Sequence, residues 1–251
     1  MSKPYIILSF TTFKARVNCL HTVLDKIAKQ TVKPDEVRCY TELKINDFPK
    51  NIQKMLNVAK VQLFPAEKED KGYKKILPVL KDFWGKNVII IIIDDDWAYP
   101  ITLVKDLINE HTKYPDAIIS FRGRKIIKNK PYLNWPFNKG TIKRPHETMI
   151  HTGSGSLYMP NFFTESVFDA IYKTISPTAD DLWITIQTII AGTPVITLSE
   201  KGHTHTEQVH IPTDSTLYII NETQNDIQWK NLVQYANSKG VDVYSLIEKT
   251  F

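Results

Sequence analysis

The sequence predicts an α/β fold in which a mixed, mostly parallel sheet is flanked by helices, and three observations support this. Short apolar runs alternate with amphipathic stretches along most of the chain, which is the pattern of strands connected by helices. The run at 88–93 is β-branched at every position, as expected for a central parallel strand covered on both faces. Polar clusters follow several of these runs directly, at the positions where open α/β sheets bind ligands.

The predicted elements alternate in the order that such a fold requires. Each predicted strand is a short apolar run bounded by polar or turn-forming residues. The predicted strands are 5–10, 36–41, 58–64, 88–93, 117–121, 156–159 and 195–198. Each predicted helix has apolar residues three and four positions apart. The predicted helices are 17–28, 73–84, the segment from Pro100 to His111, 180–191, and two short C-terminal helices after 226.

Length and composition indicate an ordinary globular protein. The 251 residues are 42% hydrophobic and 24% charged, and we find no convincing linker or internal repeat. We therefore predict a catalytic and ligand-binding domain over residues 1–212, with a helical extension over 213–251 packed on it. The longest apolar run is far shorter than the roughly 20 residues of a membrane span. The two cysteines fit no metal spacing or disulfide framework, so a cytoplasmic location is expected.

The net charge of +5 comes from one segment, residues 121–146, and the rest of the chain is net acidic. This basic window contains no acidic residue and eight basic ones: Arg122, Arg124, Lys125, Lys128, Lys130, Lys139, Lys143 and Arg144. Trp135 lies among them with other aromatic residues, and aromatic faces stack on sugars while cations bind phosphate or carboxylate. We expect an acidic glycan, a lipid-linked diphosphate or a donor diphosphate here. A solvated loop is the alternative, and no nucleic-acid-binding motif accompanies the charge.

Three consecutive aspartates, Asp94, Asp95 and Asp96, follow the most apolar strand directly. Their mutual repulsion at the end of a sheet calls for a positive partner. A hard divalent cation, Mg²⁺ or Mn²⁺, chelating a diphosphate would supply it. The alternative is a polar turn whose acids cap the next helix, although capping needs only one of them.

Two further segments carry predicted binding residues. Lys74 and Lys75 stand at a predicted helix start, where basic side chains and backbone amides favour an anion. The sequence Gly153-Ser154-Gly155-Ser156 permits close backbone approach before a strand. It lacks the strand and helix context of a phosphate-binding loop, so nucleotide-triphosphate hydrolysis is not expected.

Taken in order, these motifs resemble those of GT-A glycosyltransferases, close to the family-2-like enzymes that make bacterial and viral surface glycans. The resemblance covers residues 5–210 and rests on the order and spacing of four segments. They are Leu8-Ser9-Phe10-Thr11-Thr12, Asp94-Asp95-Asp96, Gly153-Ser154-Gly155-Ser156 and Ala179-Asp180-Asp181-Leu182-Trp183.

The resemblance implies a role for each matching residue. It implies that Asp96 holds the metal with Asp94 nearby, and that His203 or His205 supplies a further ligand. It implies a donor site that comprises Thr11, Thr12, Phe13, Glu42, Lys74, Lys75, Asp94 and Asp95. It implies Asp181 as the catalytic base with Asp180 beside it, and an acceptor pocket at Ser154 and Gly155, to which the basic window adds Trp135. Capping and loop packing are the alternatives for these residues.

The function expected is a metal-dependent, inverting, hexosyltransferase-like glycosyltransferase with a UDP-sugar donor and Mn²⁺ or Mg²⁺ as cofactor. The acceptor expected is a glycan, and a lipid-linked one would place the protein at the inner face of the membrane. One rival is a sugar-phosphate nucleotidylyltransferase, but the loop at 11–16 lacks the glycines that such enzymes carry. The other rival is an inactive module that binds glycan or nucleotide.

Overall fold

The computed structural model describes residues 4–138, 141–143, 146–198, 207–208 and 217–248. Its strands are β1 (Tyr5–Thr11), β2 (Glu36–Thr41), β3 (Val61–Pro65), β4 (Val88–Ile93), β5 (Trp97–Ala98), β6 (Ile118–Ser120), β7 (Gly123–Lys125), β8 (Thr141–Lys143), β9 (Thr148–Ile150), β10 (Ser154–Tyr158), β11 (Val195–Leu198) and β12 (Glu207–Gln208). Its α-helices are α1 (Leu20–Ala28), α2 (Lys50–Val58), α3 (Leu77–Asp82), α4 (Leu103–Lys113), α5 (Tyr172–Ile175), α6 (Asp180–Ala191), α7 (Leu217–Ser238) and α8 (Val243–Glu248).

Eight of these strands form one sheet in the order β3-β2-β1-β4-β10-β6-β11-β8. The strands β3, β2, β1 and β4 are parallel, β6 and β11 run in the same direction, and β10 and β8 are antiparallel to their neighbours. This confirms the predicted mixed, mostly parallel sheet. The carboxyl ends of β1, β2, β4 and β6 therefore lie at one edge of the sheet, and β10 begins there.

Helices cover both faces of the sheet, and β4 shows why this strand is apolar throughout. Ile90 and Ile92 pack with α3, α6, α7 and α8 on one face, while Ile89, Ile91 and Ile93 pack with α1, α2 and α4 on the other. All of β4 is buried. A polar side chain on either face of this strand would lose its hydration without gaining a hydrogen-bond partner. Polar side chains are therefore expected only where the strand ends.

The C-terminal helices pack on the same body as the sheet and α6. In α7, Trp229, Leu232 and Ala236 join the core that contains Leu182 and Trp183 of α6. The helix α7 is longer than predicted, since it begins at Leu217. The predicted division at residue 212 lies outside the described residues and stays a prediction. Within the described residues, no helix combines the length and the apolar character needed to cross a membrane.

Two segments differ from the expected elements for local reasons. In place of the predicted helix 73–84, a 3-10 segment over Lys68–Lys75, kinked at Lys71, is followed by the short α3. The two are separated by Ile76, whose φ of −122° is not helical, and Pro78 enters the first turn of α3. The predicted strand 58–64 begins only at Val61, because α2 extends to Val58. In both cases the apolar spacing was short and fitted more than one element.

Candidate active site

Polar and charged residues from separate elements meet at the carboxyl edge of the sheet. Asp94, Asp95 and Asp96 follow β4, and Gly153 precedes the antiparallel β10 beside it. The backbone amide of Asp94 donates to the carbonyl oxygen of Gly153 at 3.0 Å and is also 2.8 Å from the hydroxyl oxygen of Tyr99. The aspartate cluster is thereby fixed to two neighbouring strands.

Lys75 joins this cluster to the first turn of α6. Its Nζ lies 2.7 Å from Oδ1 of Asp94 and 3.0 Å from Oδ2 of Asp180. Burial acts to lower the pKa of Lys75, but the charges of Asp180, Asp94 and Asp181 outweigh it and raise the pKa well above its usual value. Lys75 is therefore a buried ammonium group shared by two predicted site aspartates.

Arg16 pairs with the other two aspartates of the cluster. Its guanidinium donates to Oδ1 of Asp95 and lies 3.4 Å from Oδ2 of Asp96. Oδ1 of Asp96 is buried and has no hydrogen-bond partner among the described residues. Burial, and then the charge of Asp94, raise the pKa of Asp96 to about 7 although Arg16 lowers it. The positive charge near Asp96 is therefore too small to offset burial and the charge of Asp94, and the ionised form of its carboxylate is disfavoured.

The surroundings of Asp96 are compatible with a divalent cation there, whereas Oδ1 of Asp94 is already paired with Lys75. An unpartnered carboxylate oxygen and a raised pKa are what a site with a missing positive charge should show, and hard cations prefer oxygen ligands. Among the described residues, however, no three His, Cys, Asp or Glu side chains are grouped as a metal site. The expected third ligand, His203 or His205, lies outside the described residues.

Two glycines make room for the carboxylates, and sequence reasoning did not include either as a site residue. A Cβ at Gly153 would overlap the Asp94 carboxylate, and a Cβ at Gly72 would overlap that of Asp180. Their signal in the sequence was their position, inside the Gly-Ser motif and inside the lysine-rich turn. At both positions the missing side chain allows close approach of the backbone to a carboxylate.

Asp181 is held in an ionised state by its neighbours at the start of α6. Its Oδ1 accepts a hydrogen bond of 2.8 Å from the amide of Thr152 and lies 2.6 Å from the Thr152 hydroxyl, and its Oδ2 lies 3.4 Å from Nδ1 of His151. Burial acts to raise the pKa of Asp181, but His151, Lys75 and Thr152 together lower it to about 2. Asp181 is thus a carboxylate at neutral pH.

Asp180 differs from Asp181 in exposure and in partners. Its side chain is 11% exposed and contacts Lys75, whereas that of Asp181 is 29% exposed. Burial is the largest effect on Asp180 and raises its pKa. Of the two, Asp181 is the more accessible to a bound molecule.

A pocket of about 140 Å³ opens beside Asp181. It lies between α6, the first half of α7 and the turn at Tyr132–Asn134. Its lining comprises Arg124, Tyr132, Leu133, His151, Ala179, Asp180, Asp181, Leu182, Asn221, Glu222 and Asn225. Amide, aromatic and charged groups therefore surround the predicted base.

The residues predicted to hold the nucleotide lie together after β1 and β2. The Thr11 hydroxyl donates to the carbonyl oxygen of Tyr40 at 2.7 Å, and the Thr12 side chain is fully buried beneath the loop that continues to Phe13. Nζ of Lys74 lies 2.8 Å from Oε2 of Glu42, so these two predicted donor residues form an ion pair. Glu42 and Phe13 are partly exposed, whereas Lys74 is buried.

The three residues predicted for the acceptor are not together. Ser154, whose hydroxyl donates to the carbonyl oxygen of His151 at 2.7 Å, and Gly155, with a φ of 97°, lie at a β-bulge beside Asp94. Trp135 is 2% exposed and packs edge-on against Trp229 with ring centroids 5.2 Å apart. The Trp135 ring therefore lies in the core and not in the pocket. The aromatic side chain among the lining residues of the pocket is that of Tyr132.

Known structures resemble this fold, while sequence comparisons find no relative. No family model matches the chain, and no curated protein is similar to it in sequence. The solved structures of Staphylococcus aureus TarS are similar at 14% identity with a TM-score of 0.50. TarS itself covers 83% of this chain, TarS 1-349 in complex with UDP covers 78%, and TarS 1-349 without it covers 82%.

The chain spans 37% of the length of the first TarS structure and 58% and 60% of the two shorter ones. TarS is a glycosyltransferase of GT-A type. At this identity the likeness concerns the fold and not the narrower resemblance to family-2 enzymes, which stays a prediction. The comparisons confirm the expected architecture: a mixed α/β fold with a mostly parallel central sheet flanked by helices, consistent with GT-A-like glycosyltransferase structures.

Proposed function

We propose that the protein is a glycosyltransferase that moves a sugar from a nucleoside diphosphate, with UDP-sugar as the donor, to a glycan acceptor. The observation that carries this proposal is the placement of Asp181, ionised and partly exposed, beside a pocket. Its neighbour Asp180 shares Lys75 with Asp94, the first aspartate after β4. The UDP complex of TarS, which shares the fold, supports the choice of nucleotide.

The donor would lie along the carboxyl edge of β1, β2 and β4. The loop Thr11–Phe13 and the Glu42–Lys74 ion pair flank the position proposed for the base and ribose. The diphosphate would then reach Asp94–Asp96. Lys75 and Arg16 already neutralise part of this acidic cluster, which limits its repulsion of the phosphates.

Mn²⁺ or Mg²⁺ fits the oxygens of Asp96 and Asp94. When bound there it would neutralise charge on the departing diphosphate. In its absence the burial of Asp96 raises its pKa to about 7, so cation and proton compete for the same carboxylate. Asp95, which is buried against Arg16, holds the loop in place.

Asp181 is the proposed base for the acceptor hydroxyl. As the acceptor oxygen attacks the anomeric carbon, its proton passes to Asp181, and the bond from that carbon to the diphosphate oxygen breaks. The configuration at the carbon is thereby inverted. His151 and Thr152 keep the carboxylate ionised and oriented toward the pocket before the acceptor arrives.

Titration calorimetry with UDP and UDP-sugars, with and without Mn²⁺, tests the donor assignment. We expect binding that requires Mn²⁺ and that falls at least about tenfold in Asp96→Ala, a loss of charge-assisted contacts worth about 1.4 kcal/mol or more. Asp25→Asn, a change of the same charge on the distant helix α1, should bind as the wild type does. Equal binding by Asp96→Ala would remove the metal assignment.

Hydrolysis or transfer of the bound sugar tests the base. We expect Asp181→Asn to bind the donor normally and to lose nearly all turnover, because only the proton acceptor has been removed. Turnover that survives in Asp181→Asn would exclude this residue as the base. Donor binding without any turnover by the wild type would favour an inactive binding module instead.

A further inference from the structure

Two arginines from the basic window lie on the same aromatic ring beside the candidate site. The guanidinium carbons of Arg122 and Arg124 are 5.0 Å and 4.2 Å from the ring centroid of Phe137. Arg122 also lies over Trp97 at 5.1 Å, and Arg124 over Tyr132 at 5.1 Å. These cation–π contacts restrain both side chains.

Neither arginine has a carboxylate partner within 4 Å in the part of the chain that the structure describes. The other two described arginines do, since Arg16 pairs with Asp95 and Asp96 and Arg38 pairs with Glu36 and Asp82. The Nε atoms of Arg122 and Arg124 are buried without a hydrogen-bond partner. Burial, and then the charge of Arg124, lower the pKa of Arg122. Two partly buried positive charges thus stand together uncompensated.

Arg124 is the member of the pair that reaches the candidate acceptor side, and Arg122 is joined to it through the shared ring of Phe137. Arg124 lines the pocket beside Asp181, and its NH1 donates to the carbonyl oxygen of Trp135 at 3.1 Å. The ring of Phe137 stacks on His151 with centroids 5.6 Å apart, and His151 contacts Asp181. The donor side has its own cations, Lys75 and Arg16, which are already engaged by aspartates.

We propose that Arg122 and Arg124, stacked on Phe137, bind an oxyanion of the acceptor, a phosphate or a carboxylate, while Asp181 meets its hydroxyl. The identification of the ligand as the acceptor rests on the proposed function. The oxyanion site itself rests on the geometry of the two arginines. Guanidinium groups match phosphate and carboxylate through paired N–H donors. Holding the anion at the arginines also keeps its charge away from the carboxylate of Asp181.

NMR titration of the UDP-saturated protein with glucose 1-phosphate, glucuronate and glucose tests the site. The Nε–H signals of Arg122 and Arg124 report changes in the surroundings of the two guanidinium groups. We expect both anionic sugars to shift these signals and to bind about tenfold more tightly than glucose, the usual effect of charge-assisted hydrogen bonds. Arg122→Gln and Arg124→Gln should each lose about that factor. Equal affinities for glucose and glucose 1-phosphate would overturn the proposal.

Lys130→Gln is the matched control, because it removes one exposed positive charge from the same window. We expect it to leave the affinity for glucose 1-phosphate within about twofold, since exposed charges contribute little. A loss in Lys130→Gln as large as in Arg124→Gln would overturn a specific site. Arg124→Lys, which keeps the charge but lacks the paired donors, should also bind weakly. Thermal unfolding of each variant verifies that it is folded.

Competition between UDP and glucose 1-phosphate distinguishes this site from the donor site. If UDP prevents glucose 1-phosphate from binding, or if Arg122→Gln and Arg124→Gln weaken UDP instead, the arginines serve the donor diphosphate and the acceptor assignment is overturned. If UDP fails to bind the wild type while glucose 1-phosphate still binds through the arginines, the proposed donor fails and the oxyanion site is supported.

Discussion

Lys75 and Asp180 form an ion pair of 3.0 Å in the interior of the site, with the two side chains 6% and 11% exposed. The pair joins the 3-10 helix before α3 to the first turn of α6. Lys75 also binds Asp94, so one ammonium group sets the spacing between the residues proposed for the donor and the helix that carries Asp181. A buried cation shared in this way is costly to remove, because both carboxylates lose their partner.

We predict that Lys75→Met destabilises the protein by about 3 kcal/mol, since it leaves two acids without compensation. Urea unfolding followed by tryptophan fluorescence measures this. The control is Lys29→Met, which breaks the exposed pair with Asp25 and should cost less than about 1 kcal/mol. Similar losses in the free energy of unfolding in both variants would show that the buried ion pairs of Lys75 stabilise the protein no more than an exposed pair does.

Most of the sheet could be predicted because its strands have one strong local signal. The β-branched run of β4 and the short apolar runs of β2 and β11 have the predicted bounds. The helix α6 was also predicted with its bounds, since Asp180 and Asp181 favour its N-terminus and Gly192, with a φ of 72°, ends it. Where the local signal was weak, as at α2 and α3, the predicted elements were missed or shifted.

The site could be predicted only in part, because several of its features depend on contacts between distant segments. The positions of Asp94 and Asp180 followed from strand and helix ends, but their shared contact with Lys75 requires the folded chain. Nothing in the sequence separates Trp135, which packs in the core, from Tyr132, which lines the pocket. Aromatic residues in a loop serve either purpose, and only tertiary packing decides.

Gly153 is predicted to tolerate no side chain. In Gly153→Ala the new Cβ would overlap the Asp94 carboxylate, so Asp94 must move from the position in which it pairs with Lys75. We expect UDP affinity to fall at least about tenfold and the free energy of unfolding to fall by about 1–3 kcal/mol, as for other overpacked sites. Calorimetry and urea unfolding measure the two effects. Undiminished UDP affinity would mean that the position of Asp94 is not important for binding.

Gly85→Ala is the comparison for backbone effects at a glycine. Gly85 has a φ of 73°, and a Cβ there would meet nothing within 4 Å. Its substitution should cost about 1 kcal/mol through backbone strain alone. UDP affinity should remain that of the wild type, because Gly85 is remote from the aspartates.

The raised pKa of Asp96 predicts a specific dependence of stability on pH. The folded-state pKa of about 7 lies above the ordinary 3.8, so the folded protein holds this proton more tightly than the unfolded chain does. The contribution of Asp96 to stability is therefore present below about pH 4 and is lost as the pH rises toward 7. In EDTA, Asp96→Asn should gain stability relative to the wild type between pH 5 and pH 8, by up to about 4 kcal/mol.

Chemical denaturation at several pH values measures this difference. Glu165→Gln, on an exposed residue, should show a difference from the wild type that does not change between pH 5 and pH 8. A constant difference for Asp96→Asn as well would contradict the raised pKa. Adding Mn²⁺ should reduce the difference, because a cation at the carboxylate replaces the proton.

His151 is predicted to keep Asp181 ionised, and the Asp181 carboxylate signal can show it. The hydrogen bond and charge of His151 oppose burial and lower the pKa of Asp181 to about 2. In His151→Phe the ring can still stack on Phe137, but the contact with Oδ2 is lost. We expect the pKa of Asp181 to rise by roughly one unit or more, measured by carbon-13 NMR of labelled aspartate.

The sign of the accompanying stability change follows from the direction of this shift. A lowered folded-state pKa stabilises the protein above the ordinary value of 3.8, and that contribution is lost as the pH falls toward 2. His151→Phe should therefore lose stability at neutral pH and lose less on acidification than the wild type does. The substitution His21→Phe, at an exposed histidine of α1, should change neither the pKa of Asp181 nor the dependence of stability on pH. An unchanged Asp181 titration in His151→Phe would mean that Thr152 and Lys75 suffice to hold the carboxylate.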